Sequence, residues 1–190
     1  MEKKETAKER ILRVASELFY REGIRAVGID RIIEESGVAK ASFYRNFATK
    51  DDLIVAYLEN KSRESLGRVD EAEQRYPDSP KMVLSTLLDN LIDRLNAPEN
   101  RGCAFMNTVV EFPDANHPGH QTAVEHRHEL WRRVEEIARR GGAQHPEELA
   151  SQLRMLCSGA IMVSYTDKAA FHAEYLRNAI RLLIEKHAVR

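Results

Sequence analysis

Between positions 40 and 50 the chain places Lys40, Ala41, Ser42, Tyr44, Arg45, Asn46 and Lys50 within about three helical turns. Their hydroxyl, amide, ammonium and guanidinium groups are the ones that read and grip a duplex. A lysine or arginine can take guanine, asparagine can take adenine, and serine can bond several base edges, each good contact discriminating by roughly 1 to 3 kcal/mol. A tyrosine hydroxyl or a lysine at a helix N-terminus suits phosphate instead. The expected division has Lys40 and Ser42 reading bases, Tyr44 and Lys50 holding the backbone, and double-stranded DNA as the partner.

Such a reading head needs a helix anchored from behind, and the flanking residues supply one. Phe43 and Phe47 lie one turn apart on a helix starting near Ala39 or Lys40, so both can point inward while their neighbours point out. Upstream, Ile29, Ile32 and Ile33 share a face of a short helix that Ser36-Gly37 ends, which makes a helix-turn-helix. Thr49-Lys50-Asp51-Asp52 has the form of a capping box with Asp in place of Glu, so Lys50 falls in the first turn of a third element. Thr6-Ala7-Lys8-Glu9 is another capping box, opening a helix with Ile11, Leu12, Ala15, Leu18 and Phe19 on one stripe, stopped at Gly23. Lys3, Lys4, Lys8 and Arg10 precede or begin it, as a solvated tail or an arm along phosphates.

Gly37-Val38, Phe43-Tyr44-x-x-Phe47 and Thr49-Lys50-x-x-Leu53 resemble the N-terminal domain of TetR/AcrR-type bacterial transcriptional regulators, over residues 6 to 58. Gly28 departs from the Thr usual there, and Ala39 from the frequent Ser, so neither helix start has a side-chain acceptor. Arg101-Gly102-Cys103 and Glu111-Phe112-Pro113-Asp114 are similar to a C-terminal type recurring in AcrR-like regulators. The resemblance implies a helical bundle, a homodimer, an effector pocket and repression.

Downstream, an amphipathic pattern from Lys50 to about Gln74 outruns what the head needs and predicts a helix shared by two domains, 1–49 for DNA binding and 50–190 for ligand binding and dimerisation. Residues 81–96 are apolar nearly all round, which predicts a buried helix. Further helices are expected over 103–112 and 121–140, with Pro118-Gly119 in a loop, and from Pro146 to the end. The fold class is all-α: a three-helix helix-turn-helix domain and a helical bundle, about nine helices in total. Phe105, Asn107, Glu111, Trp131, Met162 and Tyr165 combine apolar surface with a few polar groups, as small-molecule sites do. A mainly apolar effector is the expected ligand. Residues 146–187 are expected to make a two-fold dimer, with Leu153 and Ile180 as contacts and Ser158-Gly159 allowing close approach; two-fold symmetry demands a palindromic operator.

The chain has 190 residues, 43% apolar and 31% charged, ordinary for a globular protein. Residues 1–50 hold 11 Lys and Arg against 8 Asp and Glu, or +3, and the remainder 18 against 22, or −4. That asymmetry is compatible with a nucleic-acid partner without identifying one. The Lys/Glu-rich start and the lack of a long apolar run predict a cytoplasmic chain with no membrane partner. Cys103 and Cys157 are expected as packing thiols. His117, His120, His126 and His128 fall within twelve residues. They keep open a metal-responsive regulator and, more remotely, a metal-dependent hydrolase. Their spacing does not set ligands one turn apart on a single helix face, however, and no nucleophile–base–acid set is recognisable, so no metal, cofactor or catalytic residue is assigned.

Overall fold

The computed structural model describes residues 5–190, in which nine α-helices and no strand occur. Lys3 and Lys4, expected in a basic arm, lie outside the described residues. The helices are α1 Ala7–Glu22, α2 Ile29–Ser36, α3 Lys40–Asn46, α4 Lys50–Arg75, α5 Pro80–Asn96, α6 Ala104–Glu111, α7 Pro118–Arg140, α8 Pro146–Thr166 and α9 Ala173–Lys186. None of them is long and apolar enough to cross a membrane.

The chain forms two compact units: residues 1–62 with 104–125, and residues 63–103 with 126–190. The boundary therefore differs from the expected 49/50 division. Helix α4 contributes residues to both units, and the first also takes in α6 and the start of α7. Close packing explains part of this, because a Cβ at Gly119 would stand 2.9 Å from the Ile54 side chain. Pro118 opens α7 instead of lying in a loop, since a proline at the first helical position loses no hydrogen bond.

In the first unit, α1 begins with the expected capping box: the Glu9 N–H donates to the Thr6 hydroxyl, and the Glu9 carboxylate accepts from the Thr6 N–H at 2.7 Å. Ile11, Ala15, Leu18 and Phe19 are buried beneath it. In the second unit, Val69, Leu84, Ile92, Ile137, Leu149 and Ile184 centre a core drawn from five helices. Leu153 and Ile180 belong to this core at 5% and 2% exposure, so they hold the unit together and do not form a free face. The outward apolar residues of α8 and α9 are Met155, Met162, Val163, Tyr165, Tyr175 and Leu182.

Candidate nucleic-acid interface

Helices α2 and α3 form the expected motif, and its turn depends on Gly37. At φ +65° this residue is left-handed, and its N–H donates to the Ile33 and Glu34 carbonyls that α2 leaves open. Gly28 and Ala39 stand at the N-caps of α2 and α3 with no side-chain cap bond, as their types require. Phe43 is fully buried and Phe47 nearly so, with ring centroids 6.2 Å apart. These two rings fix which face of α3 looks outward.

That face carries Lys40, Ala41, Tyr44 and Arg45, all exposed, while Ser42 and Asn46 are half-buried. The Tyr44 ring stands edge-on to Phe43 at 5.4 Å, which aims the phenol. The Lys40 ammonium is 3.0 Å from the Asp30 carboxylate; that partner raises its pKa. Asn46 donates its side-chain amide to the Ser42 carbonyl at 2.7 Å, folding back on its own helix. Arg45 makes no ion pair among the described residues and is the uncommitted cation of α3.

Lys50 is positioned by the second expected capping box, in which the Asp52 N–H donates to the Thr49 hydroxyl at 3.1 Å and Asp52 accepts from the Thr49 N–H at 2.9 Å. Its ammonium turns inward. It donates to the Ile24 carbonyl at 2.7 Å and lies 5.9 Å from the Phe19 ring centre, and burial lowers its pKa. The same turn is also held by Glu111, whose carboxylate accepts from the Ile24 N–H at 3.1 Å and the Arg25 N–H at 2.8 Å. The Arg25 guanidinium sits 5.0 Å from the Phe112 ring centre. Sequence reasoning missed this contact, because nothing local signals that a carboxylate at the end of α6 caps backbone 86 residues away.

The six expected effector residues divide between the units. Phe105 is buried, and Asn107 and Glu111 are half-buried, in the first; Trp131 is half-buried, and Met162 and Tyr165 are exposed, in the second. The histidines are similarly dispersed in role. His117 stacks on Phe112 with centroids 4.1 Å apart, and its Nδ1 accepts from the Gly119 N–H. His120 donates through Nδ1 to the Phe112 carbonyl at 2.7 Å. His126 is buried, and burial with Arg127 and Arg68 nearby lowers its pKa to about 4. Among the described residues no three His, Cys, Asp or Glu side chains converge as metal ligands.

An anchored helix-turn-helix with a polar, basic outer face, followed by a purely helical bundle, defines a helix-turn-helix regulator. Residues 11–57 match the bacterial regulatory proteins of the tetR family, and residues 81–180 match the tetracyclin repressor-like C-terminal domain. The chain belongs to the TetR family, whose members are DNA-binding transcriptional regulators and not enzymes. It is 33% identical to the solved structure of a TetR-family transcriptional regulator from Streptomyces coelicolor, with TM-score 0.89 and 96% of each chain covered. The fold also matches a regulator from Saccharomonospora viridis solved with choline, at TM-score 0.75 and 21% identity over 97% of this chain and 98% of that one. The regulator AcrR of Shigella flexneri is 29% identical over 50% of this chain and 44% of its own length. The stretches matched thus span about half or less of the curated relatives' lengths.

Proposed function

We propose that this protein is an effector-responsive repressor that binds a palindromic operator as a homodimer. The observation that carries the proposal is the outer face of α3, where Lys40, Ala41, Tyr44 and Arg45 are exposed over a buried Phe43–Phe47 anchor. Lys40, Ala41, Ser42, Arg45 and Asn46 read base edges, and Tyr44 and Lys50 hold phosphate. For Lys50 this means exchanging the Ile24 carbonyl for the duplex, for Asn46 leaving the Ser42 carbonyl, and for Lys40 leaving Asp30, an exposed pair that holds it weakly. Dimerisation through residues 146–187 is supported by Met155, Tyr175 and Leu182, which are 64%, 70% and 61% exposed. Large apolar side chains grouped on two consecutive helices suit a partner surface.

Response to a small molecule is supported by the family and by the choline-bound neighbour. The effector must bind the DNA-incompetent arrangement more tightly, and the coupling expected is about 1 to 3 kcal/mol. Helix α4 is the covalent path for it, because it begins at Lys50 and ends in the second unit. Selection from random DNA followed by footprinting tests the whole reading. A palindrome with half-sites about one helical turn apart is expected. Lys40→Ala and Ser42→Ala relax preference at particular positions, whereas Tyr44→Phe and Lys50→Ala weaken all sequences alike. Protection of single, unpaired half-sites, or monomers in sedimentation of the wild type, overturns the dimeric part.

A further inference from the structure

The arginines of α7 fall into two groups. Arg132 pairs with Glu129 and Glu136, Arg133 with Asp70 and Glu73, Arg139 with Glu135 and Glu147, and Arg140 with Glu73. Arg127, half-buried on the same helix, pairs with no carboxylate among the described residues. Its guanidinium donates to the Ser158 hydroxyl at 3.1 Å and lies 4.0 Å from the Cys103 sulfur. Arg68 on α4 is also half-buried and forms no ion pair among the described residues; Glu64 and Glu71 face it from its own helix, and Arg94 adds like charge. Burial first, and then the charges of Arg127 and Arg68, hold the buried His126 neutral. A partly buried cation is ordinarily paired; among the described residues Arg127 has no carboxylate, and Arg68 has Glu64 and Glu71 only beyond ion-pair distance.

A second observation concerns a neutral donor. Trp131 lies one turn beyond Arg127 on α7 and therefore on the same side of the helix. Its indole Nε1 is buried and has no hydrogen-bond acceptor among the described residues. Buried donors seldom stay unpaired, and this one belongs to a side chain one turn from a guanidinium that has no carboxylate among the described residues. Leu130, Leu156, Ala160 and Ile161, close in sequence to these groups, are half-buried apolar residues packed on the unit's core.

We propose that Arg127, the Trp131 indole N–H and the Ser158 hydroxyl recognise the carboxylate of an effector whose remaining surface is apolar. A guanidinium fork matches a carboxylate with two parallel bonds, and the indole and hydroxyl complete the set of donors. A quaternary ammonium such as the choline held by the Saccharomonospora regulator meets like charge here. The inference rests on the effector-responsive reading and assigns that effector its chemical class.

The test uses the full chain with decanoate and benzoate as probes, decanol and benzamide as neutral counterparts, and decyltrimethylammonium as the cation. Binding is followed by calorimetry and Trp131 fluorescence, and operator affinity is measured in parallel. The carboxylates bind at least about tenfold more tightly than their neutral counterparts, and Arg127→Gln removes that preference while Arg127→Lys keeps part of it. Melting curves of both variants confirm that they fold. Equal binding of charged and neutral probes, a preference that survives Arg127→Gln, tighter binding of the ammonium, or no carboxylate binding overturns the site. Release of the operator by a neutral or cationic probe alone leaves the effector reading standing and removes the carboxylate. Arg127-dependent carboxylate binding that leaves operator affinity unchanged supports the anion site and removes the effector reading.

Discussion

The unit carrying the helix-turn-helix and the unit that ends the chain satisfy their polar groups in different ways. In the first, helix ends are closed by short-range partners such as Thr6 with Glu9 and Thr49 with Asp52, and the turn at residues 24–25 is gripped by Glu111 and Lys50. In the second, packed apolar helices make the core, but among the described residues Arg127 and Arg68 form no ion pair, the Trp131 indole has no acceptor, and apolar side chains of α8 and α9 face outward. The difference teaches where outside partners belong. On the proposed reading, a head whose turns are gripped from within presents its face to a duplex, whereas the Trp131 donor and the bare apolar surface are where a ligand and a second subunit would bind.

The sharpest test of the head's rigidity is to remove its anchor. Phe43→Ala should destabilise the first unit by about 3 to 5 kcal/mol, because the ring is fully buried, and it should abolish operator binding. Tyr44→Ala, one residue away but 44% exposed, should leave thermal unfolding nearly unchanged while weakening DNA binding. Comparable melting of the two variants would break the distinction between anchor and reading face.

Glu111→Ala comes next, removing the acceptor of two backbone donors for a loss of roughly 1.5 to 3 kcal/mol in local stability. Amide exchange should quicken at Ile24 and Arg25 before it changes in α8 or α9. Uniform acceleration across both units would show that Glu111 is not a local clamp.

A smaller effect, on the order of 1 to 2 kcal/mol, is expected from acid through His126 in the second unit. Its folded pKa is about 4, below the ordinary 6.5, so the unfolded chain binds the extra proton first as pH falls. The stability it contributes is present above pH 6.5 and is lost as pH falls toward 4. Urea unfolding at pH 7 and pH 4.5 measures this, and His126→Gln should flatten the dependence. An unchanged slope would place the acid sensitivity elsewhere.

The smallest effect is that of a cap: Thr49→Ala should reduce stability by about 1 kcal/mol. By loosening the helix start that carries Lys50 it should weaken binding to all DNA sequences alike. An altered preferred sequence would mean that the cap also sets the angle of α3.

The helix-turn-helix was legible in the sequence because its determinants are local. The reciprocal Thr6–Glu9 and Thr49–Asp52 boxes, the helix stop at Gly37 and the Phe43–Phe47 spacing each act within about one turn, and each formed as read. The apolar periodicity of the later helices likewise gave their number and nearly their limits. Tertiary structure decided what depends on residues far apart. It turned the Lys50 ammonium to Ile24, brought Glu111 across 86 positions to Arg25, and buried Leu153 and Ile180 while leaving Met155 and Leu182 outside. Periodicity marks an apolar face, but which of two such faces finds a partner within the chain is settled only when the helices pack. Likewise, charge is visible in a sequence, but whether Arg127 has a carboxylate beside it depends on which side chains the fold brings there.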